Sequence, residues 1–94
     1  MKSVEELTVQ FEKDGVVLVE ELGKVVLSSG NWATILFRFR EFDEKEGVFL
    51  EEKFALRRYQ KRRGGYAVHS RFTISNVTQA KQVQKALSEW TQDA

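Results

Sequence analysis

From Leu7 to Ile74 apolar residues recur with a period of two in several runs, and no proline anywhere interrupts strand pairing. Period two is the mark of a half-buried strand, so this combination restricts the chain mainly to antiparallel sheet. Leu7, Val9 and Phe11 lead through Asp14-Gly15 into Val16-Val17-Leu18-Val19, and Asp-Gly between apolar runs predicts a hairpin. The same first residues carry a competing signal. Ser3 followed by Glu6 is a capping box, and Val4, Leu7 and Phe11 share a helix face, so residues 3 to 13 read either as a short helix or as the first arm of that hairpin.

Val25-Val26-Leu27 ends at the turn-like cluster Ser28-Ser29-Gly30-Asn31, which opens the longest strand signal, Ala33 to Phe42. Along it Ile35, Phe37 and Phe39 alternate with Thr34, Arg38 and Arg40. After the loop Asp43 to Gly47, one face carries Val48, Leu50, Phe54 and Leu56, with Glu52 among them, and the other Glu51, Lys53, Arg57 and Tyr59. A charge at an apolar position suggests an edge or a bulge at Glu52. Lys61-Arg62-Arg63-Gly64-Gly65 reads as a hairpin tip, and a last strand alternates Tyr66, Val68, Phe72 and Ile74 with His69, Arg71 and Thr73.

The C-terminus changes period. Asn76 is a good N-cap with Gln79 three residues on, and Ala80, Val83, Leu87 and Trp90 recur near helical spacing, predicting a helix over residues 77 to 91. Its apolar stripe needs a partner, and the expected one is a sheet face formed by Ile35, Phe37, Phe39, Leu56, Phe72 and Ile74, which would bury Trp90. The expected fold is α+β: one domain over residues 1 to 94, an antiparallel sheet of four to five strands across residues 7 to 75, and a C-terminal helix packed on one face.

Composition sets the outer bounds. Ninety-four residues with 41% hydrophobic content support one core, and the absence of cysteine removes disulfides and thiolate metal sites. A reducing compartment, the cytoplasm, is the expected location. No apolar stretch approaches the roughly 18 residues of a membrane span, and Glu5 and Glu6 follow too closely on Lys2 for a signal-peptide core, so the chain is expected to be neither exported nor anchored.

Catalytic signals are sparse. The one histidine, His69, has no cysteine or adjacent acid in sequence, and the neighbouring carboxylates Glu5-Glu6, Glu20-Glu21 and Glu51-Glu52 would face opposite ways on strands. Asp43, Glu44 and Glu46 lack the spacing of a calcium loop, and no phosphate-loop or dinucleotide glycine pattern occurs. No enzyme activity, cofactor or metal is expected.

Charge distribution is more informative. Residues 1 to 52 carry six Lys and Arg against twelve Asp and Glu, residues 53 to 94 nine against two, so the two portions have net charges of −6 and +7. Folding either brings the portions together to neutralise each other or leaves a basic surface apart from an acidic one. The densest segment is Arg57, Arg58, Tyr59, Gln60, Lys61, Arg62 and Arg63, and Tyr59 and Tyr66 flank its tip. Cations release counterions from phosphates and tyrosine rings stack on unpaired bases, so this composition suits single-stranded nucleic acid. Strand alternation adds Arg38, Arg40 and Arg71, with His69, to one expected basic sheet face. The competing reading is a solvated face whose arginines pair with Glu41 or Glu51 across strands. Trp32, beside the turn, reads as a stacking residue or a core anchor.

The run Ile35-Leu36-Phe37-Arg38-Phe39-Arg40-Glu41-Phe42, with the acidic, glycine-containing turn Asp43 to Gly47, resembles the strand and turn of the positive cofactor four family of transcriptional coactivators. Phe72-Thr73-Ile74-Ser75-Asn76 resembles that family's entry to its C-terminal helix, and the order of several strands then a helix is similar to a Pur-alpha repeat and to Whirly proteins. The likeness covers about half the chain, and the long segment from Lys53 to Val68 departs from it. It implies single-stranded DNA or RNA binding on a curved sheet, a transcription-related role, dimerisation, and backbone contacts by Arg38 and Arg40. A different class of function is a protein-interaction module or small homodimer using a sheet edge or exposed aromatics.

Overall fold

The computed structural model describes residues 3 to 93, and its sheet has six strands, not four to five. After a 3₁₀ turn, Val4–Glu6, come β1 (Phe11–Lys13), β2 (Val16–Ser28), β3 (Trp32–Asp43), β4 (Val48–Phe49), β5 (Lys53–Arg62), β6 (Gly65–Ile74) and the helix α1 (Val77–Trp90). The order is β1-β2-β3-β5-β6, every pair antiparallel, with the two-residue β4 against the end of β3. The fold is thus α+β, a curled half-barrel of sheet followed by one helix. Among the described residues no helix is long and apolar enough to cross a membrane.

Both readings of the first residues hold in part. The capping-box segment closes one 3₁₀ turn, Leu7 to Gln10 run on without sheet pairing, and only Phe11–Lys13 form the arm of the hairpin. Asp14 and Gly15 have φ of 52° and 82°, the pair of positive values that a two-residue type I′ turn demands. The runs Val16 to Val19 and Val25 to Leu27 belong to one long strand. Two irregularities in its pairing with β3, between Glu21 and Gly23 and between Val26 and Ser28, reset the facing of β2.

The core lies between the sheet and the N-terminal segment. Ile35 and Phe37 are fully buried, and Val4, Leu7 and Val9 pack in one cluster with Ala33, Phe39, Ala55 and Tyr59. An apolar segment without sheet pairing needs its carbonyls satisfied where it crosses a core. Lys24, on the same sheet face, supplies this. Its Nζ donates to the carbonyl oxygens of Val4, Glu5 and Leu7 at 2.9, 2.8 and 2.6 Å. Beside the first β2 irregularity the Thr8 hydroxyl donates to Glu21 Oε1 at 2.6 Å, and the Glu21 N–H donates to Gln10 Oε1 at 2.7 Å.

The six residues expected on one helix-covered face divide between the two faces: Ile35, Phe37 and Phe39 are in the core, and Leu56, Phe72 and Ile74 are on the reverse. Register places Leu36 opposite Leu56 and Leu56 opposite Phe72, while Phe37 faces Ala55 and Ile35 faces Arg57. Leu56 and Phe72 therefore lie on the reverse of Ile35 and Phe37. α1 is capped as expected, the Asn76 side chain accepting from the Gln79 N–H at 2.8 Å, yet no residue of it is buried. It packs chiefly against β6, and Trp90 is 79% exposed rather than packed.

Replacing Lys24 with methionine removes three charge-assisted hydrogen bonds while keeping the aliphatic stem, and is expected to cost about 2 kcal/mol. Denaturant unfolding and amide exchange check this: the unfolding midpoint should fall and the amides of residues 4 to 9 should exchange faster. An unchanged midpoint would mean that apolar contacts alone hold the segment.

Candidate nucleic-acid interface

β5 and β6 form a hairpin whose last paired residues are Arg62 and Gly65. Arg63 and Gly64 make the turn, and Gly64 at φ 69° supplies the left-handed residue that closes it. Lys61, Arg62 and Arg63 are exposed at this tip. Two bonds fasten the tip to the β2–β3 turn. The Lys61 N–H donates to the Asn31 carbonyl at 2.7 Å, and the Tyr66 hydroxyl donates to the Gly30 carbonyl at 2.7 Å. Tyr66 is consequently half-buried and packs against the core, and the Arg62 guanidinium leans back to Gln60 Oε1 at 3.0 Å.

Beside the tip, on the face away from the core, three elements converge. Arg58 of β5 sits with its guanidinium carbon 4.4 Å from the centre of the Trp32 ring of β3, and His69 of β6 meets the same ring edge-to-face at 4.8 Å. Trp32 is 37% exposed, so the cluster is a surface feature and Trp32 is no core anchor. His69 reaches it because β5–β6 pairing slips: Arg58 opposes Ser70 and Tyr59 opposes Val68, leaving His69 as the extra residue of a bulge. Simple alternation sets His69 beside Arg71 and so misses this cluster. A tryptophan at the start of the long strand was the only visible signal of it.

The other expected site residues are distributed differently. Arg38 forms a two-pronged pair with Glu52, Nε to Oε1 at 2.6 Å and Nη2 to Oε2 at 2.7 Å. Arg40 bonds Glu20 at 2.7 Å and lies 3.9 Å from the centre of the Phe49 ring. Arg57 and Arg71 oppose each other in register on the core-side face, away from Arg58, and Arg57 Nε is buried without a hydrogen-bond partner in the chain. Tyr59 is 3% exposed, so its ring belongs to the core and not to the surface. The single basic face expected from alternation therefore divides in three: the tip with Arg58, the pair Arg57 and Arg71 behind it, and Arg38 with Arg40 already matched to acids.

The electrostatic consequence is specific. The three ion pairs among the described residues are Arg38 with Glu52, Arg40 with Glu20 and Lys53 with Glu41. Only Lys53 carries charge from the basic portion into that set. From Lys53 to Ser88 the chain contains no acidic residue, and among the described residues no hairpin cation other than Lys53 forms an ion pair. Among the described residues, no group of three or more His, Asp or Glu side chains is placed to hold a metal ion.

Hydrogen bonds from Arg38 hold the Glu52 carboxyl below its ordinary value of 4.5; desolvation opposes this, and the charges of Arg38 and Arg40 reinforce it. A carboxyl whose pKa is lowered in the fold contributes stability above its unfolded pKa, and that contribution disappears as pH falls through the folded value. Melting temperatures of Glu52→Gln and wild type, measured from neutral to acid pH, should converge below pH 4.5, the variant declining less steeply. Parallel curves would mean that the pair is not formed. Comparison of the chain with protein-family models, with curated proteins and with solved structures finds no match.

Proposed function

We propose that this chain binds single-stranded nucleic acid with the tip and outer face of the β5–β6 hairpin. The observation that carries the reading is the run of cations, Arg58, Lys61, Arg62 and Arg63, on an element without any acid, while the arginines of β3 are neutralised in pairs. Unneutralised cations on a rigid projection favour a partner that brings its own negative charge, and a phosphodiester chain exchanges condensed counterions for them. The Trp32, Arg58 and His69 cluster adds a surface on which an unpaired base can stack, worth roughly 1 to 3 kcal/mol per base. Duplex bases are already stacked and offer no such face, so single strands are preferred.

Arg57 and Arg71, on the other side of the hairpin, extend the positive field without touching the base. Tyr66 acts by holding the tip, and Arg38, Arg40 and Tyr59 are outside the contact surface. A nucleic-acid-handling or transcription-related regulator is the class of protein that this chemistry serves.

Titration of labelled single-stranded oligonucleotides at two salt concentrations tests the proposal. Each contacted phosphate contributes a log-log slope of about −0.7, so the double variant Arg62→Ala with Arg63→Ala should weaken binding at about 50 mM salt and flatten the slope by about 1.4. Arg38→Ala should leave affinity unchanged, and Trp32→Ala should weaken single-strand binding more than duplex binding. No binding by wild type, or equal binding by the double variant, overturns the reading.

A further inference from the structure

One face of the sheet carries the core and the other is uncovered. Across the uncovered face, register aligns Val25 with Leu36, Leu36 with Leu56 and Leu56 with Phe72, an apolar row four strands wide. Val25 is 54% and Phe72 66% exposed at its two ends. α1 carries a second unpartnered apolar surface, with Val83, Leu87 and Trp90 exposed along one stripe. A groove lined by Phe72, Ile74, Val83 and Ala86 runs between the two.

The chain does not close these surfaces on itself. Only Ser75 and Asn76 separate β6 from α1, and the Asn76 cap sets the helix direction, so the helix reaches the β6 margin and leaves the middle of the row open. The accessible area is 7060 Å², against about 5,600 Å² for a compact protein of 10.9 kDa. The surplus, about 1,500 Å² per chain, covers the roughly 800 Å² per partner of a standard protein interface and reaches the range of obligate homodimers.

We infer that the uncovered sheet face and the α1 stripe are the contact surface for a second copy of this chain, each copy laying its helix stripe on the sheet row of the other. A second copy is the occupant that matches both surfaces at once, because each copy presents one helix stripe and one sheet row and needs one of each. The row shares its face with Arg58 but is centred on Leu56 and Phe72, away from Lys61, Arg62 and Arg63 at the tip, so those tip cations stay open in the dimer.

Sedimentation equilibrium of the full chain should give twice 10.9 kDa at about 100 µM. Trp90→Asp on the helix and Phe72→Asp on the sheet should each weaken association by at least roughly thirtyfold while leaving the far-ultraviolet circular dichroism unchanged, since both side chains are exposed in the single chain. Mixing the two variants separates this arrangement from other dimers. One heterodimer contact then joins an intact stripe to an intact row, and the mixture should associate more tightly than either variant alone. A wild type that sediments as 10.9 kDa, a dimer indifferent to either substitution, or no gain on mixing overturns the inference. Trp90→Asp should still bind oligonucleotide through its intact tip, so the two proposals fail separately.

Discussion

The ammonium of Lys24 and the apolar side chains of Val4, Leu7 and Val9 together turn one face of an open sheet into a core. Without the N-terminal segment, Ile35 and Phe37 would lie on a solvated surface, and a sheet with two exposed apolar faces has no stable form in water. The segment itself has no strand partner over residues 7 to 10. Three carbonyls directed at one charged nitrogen replace the ladder hydrogen bonds it lacks, at distances of 2.6 to 2.9 Å.

The same arrangement sorts the charges. Acids are concentrated in the first portion of the chain, and β2, β3 and the segment before β5 supply Glu20, Glu41 and Glu52 to the ion pairs. Exposed pairs of this kind add little stability. Their larger effect is to remove Arg38 and Arg40 from the pool of cations available to a ligand. The hairpin, built wholly from the acid-free stretch, keeps its charge beyond Lys53. Compactness would have mixed the two portions, but the molecule is only 17 Å across its thinnest dimension and has a radius of gyration of 15.1 Å, where about 12 Å describes a compact chain of this length.

Most elements were legible in the sequence because each rests on local chemistry. Asp14-Gly15 specified its hairpin by the positive φ both residues adopt, Asn76 its helix by a side-chain cap, and the period of two its strands. Facing between strands was not legible. β3 is apolar on both sides, with Leu36 between Ile35 and Phe37, so alternation in β5 fits either way, and a one-residue choice of register decides whether Leu56 or Tyr59 meets the core. Tyr59 won that position and left the surface. The bulge that sends His69 to Trp32 has no sequence mark either, since it depends on how β5 and β6 accommodate each other's twist. The six-strand count differs for a simpler reason: β4 is only Val48–Phe49, below the length at which periodicity carries information.

β5 and β6 are each ten residues long, about 33 Å of strand, with the cations of the tip at one end and the start of α1 near the other. At one end the backbone of the tip is fixed by Lys61 to Asn31 and Tyr66 to Gly30, so binding there costs little backbone ordering. At the other end β6 runs into α1, whose apolar stripe has no cover within the chain. A rigid two-stranded rod that displays charge at one end and hydrophobic surface at the other separates electrostatic recognition from association. High salt should therefore weaken the first by screening and counterion competition while leaving the second intact, because apolar burial is not diminished by ionic strength.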